Sequence, residues 1–103
     1  MGILIVGGDR VEKLVSALDE RGLGPSVHWN GRRSGELHRS FPPGVDLVVV
    51  VWEQLGHPML RKVKEAAQRR GVPVLYGRTA QTGAGSVPEV VELAARWLAP
   101  SAA

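Results

Sequence analysis

Four loops hold most of the residues able to do chemistry in this 103-residue chain. Gly7-Gly8-Asp9-Arg10 follows one apolar run and precedes a helical pattern. His28-Trp29 leads into Asn30-Gly31-Arg32-Arg33, Glu53 to His57 follow the longest apolar run, and Arg78 follows Tyr76-Gly77. Glycines let backbone amides approach a ligand closely. A helix opening beside them offers free N–H groups at the positive end of its dipole, which makes Gly7-Gly8 a candidate phosphate cradle. The same residues also read as a structural turn with Asp9 as helix cap. Guanidinium forks hold phosphate bidentately, so Arg10, Arg32, Arg33, Arg39 and Arg78 form an anion-binding surface if folding pools them. His57 is the best candidate for acid–base work because imidazole titrates near neutrality, although a residue just before Pro58 also simply starts a helix.

Other chemistries lack their spacing. The glycine loop has neither the G-x-G-x-x-G of dinucleotide folds nor the Lys-Ser/Thr of a P-loop. No serine sits in a G-x-S-x-G elbow, so serine catalysis is not expected. Asp9, Glu53 and His57, with His28 nearby, have no compact ligand spacing, and no metal site is expected from them. One acid after the first strand, with Asp46 at the opposite end of the third, argues against a phosphoacceptor. With no cysteine, disulfides, thiolate metal sites and cysteine nucleophiles are excluded. No cofactor is indicated. Trp29, Trp52 and Tyr76 each end an apolar run. Such rings either complete the core or, interleaved with arginines, stack on the bases of a nucleic acid or nucleotide.

The elements that must position these groups read as β1, α1, β2, a long connection, β3, α2, β4, α3. Asp9 with Glu12 forms a capping-box pattern before the stripe Val11, Leu14, Val15 and Leu18, which Gly22 ends. A second helix starts at Pro58, places Leu60, Val63 and Ala67 on one side, and stops at Gly71. Ser86 and Glu89 cap a third, carrying Val90, Val91, Ala94, Trp97 and Leu98. Ile3 to Val6 and Leu47 to Val51 are continuous apolar runs, as in strands covered on both faces of a parallel sheet. The expected fold is a small doubly wound, Rossmann-like α/β domain with flavodoxin-like strand order 2-1-3-4. It spans residues 1–99, and residues 100–103 are expected to fray. Ligands of such folds bind where the order reverses, at the C-terminal ends of the strands.

The chain resembles the bacterial domain-of-unknown-function 2325 family. The likeness rests on IVGGDR (Ile5 to Arg10), His28 with Gly31-Arg32, DLVVV (Asp46 to Val50), His57, Val63-Lys64 and GVPVLYGR (Gly71 to Arg78), covering residues 3 to 80. Gly56 stands where that family usually has a polar residue before the histidine. The resemblance implies a small Rossmann-like domain and carries no established activity.

Net charge of +3 and pI near 10 favour anionic partners. No apolar stretch approaches the roughly 20 residues that span a bilayer, and Met1 leads straight into a strand, so the default location is cytoplasmic. The expected function is a small dimeric protein that binds a polyanion, above all nucleic acid, through Gly7, Gly8, Asp9, Arg10, His28, Trp29, Arg32, Arg33, His57 and Arg78. The alternatives are an enzyme or sensor for a phosphorylated small molecule or nucleotide, with His57 as acid/base, and a protein-interaction module. Trp97 docks either on its own sheet or across the twofold axis of a homodimer.

Overall fold

The computed structural model describes residues 2–8, 10–29, 44–52 and 57–98. Its two long apolar runs become the central pair of a parallel sheet, β1 (Gly2–Val6) beside β3 (Val45–Val51). Strand β2 (Ser26–Trp29) pairs outside β1, and β4 (Val74–Gly77) outside β3. The order β2-β1-β3-β4 is the doubly wound arrangement read from the sequence. At the start of β3 the register jumps from Gly2↔Val45 to Ile3↔Leu47. Asp46 is skipped there, at the N-terminal end of the sheet, and its carboxylate accepts a 3.3 Å bond from the Gly2 N–H.

Three helices follow: α1 (Glu12–Glu20), α2 (His57–Arg70) and α3 (Val87–Leu98). Alternation along the strands feeds two separate cores. Ile3, Ile5, Leu47, Val49 and Val51 meet α1 and α3 on one face, while Leu4, Val6, Val48 and Val50 meet Met59, Val63 and Ala67 of α2 on the other. Burial of both faces explains the absence of polar alternation in these runs.

Helix ends follow local rules with one exception. Past α1, Leu23 and Gly22 donate to Leu18 and Asp19 carbonyls, both at 2.9 Å; past α2, Val72 and Gly71 donate to Ala67 and Gln68. Both are the paired bonds of a glycine-terminated helix. Before α3, the Ser86 carbonyl accepts the first helical bond, from Val90 at 2.9 Å, as its capping position requires. The exception is α1. Its N-cap is Val11, with no side-chain cap bond, so Asp9 and Glu12 do not stand in the capping-box relation expected. Val11 is buried in the core, and that packing sets the first turn two residues beyond Asp9. A surface ion pair ties α1 to α3, Arg21 Nη1 donating to Glu92 Oε1 at 2.7 Å. That bond and the Arg21 charge hold the Glu92 carboxyl below its usual pKa, with a smaller contribution from Arg96.

Candidate functional site

The C-terminal ends of the four strands form the rim where the ligand-binding residues were expected. The glycine loop is built into the fold at this rim. Gly7 and Gly8 are buried with φ of 93° and 76°. The Gly7 N–H bonds the Trp29 carbonyl at 2.7 Å, extending the β1–β2 ladder by one step. A Cβ on Gly8 would lie 3.0 Å from Val51 Cγ1 and 3.3 Å from Val11 Cγ1. Glycine is therefore needed at position 8 both for its left-handed backbone and for the close packing of the α1 start against β3.

His28 and Trp29 are neighbours in sequence with opposite destinations. His28 pairs with Ile5 and shares its face, and from there its Nε2 reaches the carbonyls of Gly7 at 2.9 Å and Gly8 at 3.0 Å. Both partners are acceptors, so Nε2 carries the proton and donates a bifurcated bond that fixes the loop. Trp29 pairs with Val6 on the α2 face and is buried in that core. The accessible ring expected at position 29 is a packing residue instead, because side chains alternate across a strand.

Arg78 also serves its own loop. Its N–H donates to Gly85 O at 2.7 Å, Nε to Ala84 O at 3.1 Å and Nη2 to Thr82 O at 3.3 Å. The guanidinium staples the turn between β4 and α3, so Arg78 organises the rim rather than standing clear of it. Arg10 is exposed at the exit of the glycine loop. Asp9, Asn30, Gly31, Arg32, Arg33, Arg39, Glu53 and the expected tail at residues 100–103 lie outside the described residues, as does the side chain of His57, whose backbone opens α2.

Sequence patterning left open whether the Trp52 and Tyr76 rings complete the core. They do not: Trp52 is 52% and Tyr76 45% exposed. Tyr76 pairs with Val50 on the α2 face, and Trp52 follows the end of β3 next to it. Helix α2, a few residues further on, concentrates charge. It holds five of the chain's thirteen basic residues and one of its ten acidic ones, leaving eight basic against nine acidic elsewhere. The whole positive excess of the chain is thus accounted for by one helix. An open cleft of about 320 Å³ lies along it, bordered by Leu60, Arg61, Lys64, Glu65 and Gln68. Simple counting along α2 would have found this excess, which attention to strand-end arginines passed over.

Strand order, glycine rim and helices on both faces define a small doubly wound α/β domain. Among the described residues, no helix is long and apolar enough to cross a membrane. The chain belongs to the family described as an uncharacterized protein conserved in bacteria (DUF2325), whose model matches residues 2–91. No curated protein and no solved structure matches it.

Proposed function

We propose that this domain binds single-stranded nucleic acid across the C-terminal ends of β3 and β4, with bases on Trp52 and Tyr76 and phosphates along the cationic α2. The observation that carries the reading is the exposure of Trp52 and Tyr76 at the ends of β3 and β4, Tyr76 on the sheet face that α2 covers, together with the chain's positive excess on that helix. Rings accept any base face, and a row of cations follows a flexible phosphate chain without reading sequence. Arg10 adds one exposed cation after β1, beside the glycine loop that His28 holds through the Gly7 and Gly8 carbonyls. Arg78 stands aside because its Nε and Nη2 already serve loop carbonyls.

The test is fluorescence anisotropy with a labelled single-stranded oligonucleotide, titrated at several salt concentrations. Removing a ring that stacks one base costs about 1–3 kcal/mol, so Trp52→Ala and Tyr76→Ala each weaken binding roughly 5- to 150-fold. Arg61→Ala with Lys64→Ala lowers the salt slope by about 0.7 for each phosphate that is no longer neutralised. Unchanged affinity in the Trp52→Ala, Tyr76→Ala double variant rejects the proposal. Saturable binding of a mononucleotide with no gain from longer oligonucleotides points instead to a phosphorylated small molecule.

A further inference from the structure

We propose that α3 is a dimer interface, packing antiparallel on the α3 of a second copy about a twofold axis near Leu93. This is independent of nucleic-acid binding, which uses the α2 face of the sheet.

Successive helix residues turn by about 100°. On that wheel the buried stripe Val87, Val90, Val91, Ala94 and Leu98 has two flanks with different neighbours. One flank carries Glu92, which bonds Arg21 of α1. The other begins at Val90, whose Cγ2 would stand 2.5 Å from a Cβ added to Gly77 of the edge strand β4, and continues through Leu93, half-buried, to Trp97, 60% exposed. Leu93 and Trp97, three and seven residues after the buried Val90, continue the apolar surface beyond the protein's own core, toward the open edge of the sheet.

Charge selects a second copy as the occupant. Glu89 and Arg96 are exposed and border this apolar flank. Seven residues apart, they lie about 20° from each other around the helix and about 10 Å apart along it. An antiparallel copy sets Glu89 against the partner's Arg96 and Arg96 against the partner's Glu89, while Leu93 meets its own mate near the axis. A twofold axis makes every such contact twice, as a self-complementary patch requires. A parallel copy would place like charges together.

Sedimentation equilibrium of the full chain, with circular dichroism to verify folding, tests the proposal. The wild-type chain is expected to dimerise and Trp97→Ala to dissociate it with an unchanged spectrum. Glu89→Arg and Arg96→Glu each place like charges across the axis twice, weakening self-association roughly tenfold or more. Mixed in equal amounts, these two variants recover dimerisation, because each heterodimer contains two opposite-charge pairs. A wild-type chain that stays monomeric at millimolar concentration overturns the proposal. So does a dimer indifferent to Trp97→Ala and to both reversals, or a mixture that gains nothing over its components.

Discussion

Gly77→Ala probes the closest helix–sheet approach beside the rim. An added Cβ would stand 2.5 Å from Val90 Cγ2, 3.4 Å from Gly85 O and 3.7 Å from Val90 Cβ. Carbon atoms pack comfortably at about 3.5–4.0 Å, so roughly 1 Å must be recovered by moving α3 or forcing Val90 off its rotamer. Val90 is 1% exposed among Leu47, Val49 and Ala94, which leaves it little freedom. Overpacking of this kind costs about 1–3 kcal/mol, and replacing glycine returns about 0.4–1 kcal/mol by restricting the unfolded chain. The expected net loss is about 1–2 kcal/mol, a fall in Tm of roughly 5–10 °C for a domain of this size. Val90→Ala alone removes buried methyls and also destabilises, by about 1–3 kcal/mol. In the double variant the clash partner is absent, so the loss is smaller than the sum of the single losses by about 1 kcal/mol or more. Urea unfolding followed by circular dichroism, with m-values held equal, measures all three variants. Additive losses to within about 0.5 kcal/mol would refute the steric argument.

Two further outcomes test the rim and the helix layer. His28→Leu leaves the Gly7 and Gly8 carbonyls without their donor, and the expected cost is about 1–2 kcal/mol with faster amide exchange around the glycine loop; a wild-type exchange pattern would show that the loop holds its shape unaided. Glu92 has a folded pKa below its ordinary 4.5, so its pairing with Arg21 stabilises the fold above pH 4.5 and is lost as pH falls through the lower folded value. Arg21→Ala should flatten that acid limb of the stability curve, and high salt should flatten it in the wild-type chain; identical acid limbs in both proteins would show that the pair contributes nothing.

The sheet and helices were largely legible because they follow from local periodicity. Continuous Val, Leu and Ile runs demand cover on both faces, helical stripes supply it, and Gly22 and Gly71 stop the first two helices where their carbonyls need partners. The site was less legible. Arginines near strand ends suggested pooling, but Arg78 satisfies the carbonyls of its own loop. Position 29 suggested an accessible ring, but the pleat turns Trp29 under α2 and leaves Trp52 and Tyr76 as the exposed pair.

Sequence alone determined the element types, their order and the parallel winding, since each rests on interactions within a few residues or on the coverage that an apolar run requires. Tertiary structure decided where individual side chains went. Val11 became the N-cap of α1, a position without a side-chain cap bond, because it packs into the core formed with β1, β3 and α3. His28 became the clamp of the glycine loop because β2 lies beside β1 in one register, and a shift of one residue would have sent Trp29 there instead. Trp97 stands exposed because the buried stripe of α3 is centred on Ala94, leaving the indole on a flank that its own sheet does not reach. Periodicity fixes which residues share a face, but the neighbour that meets that face comes from distant parts of the chain.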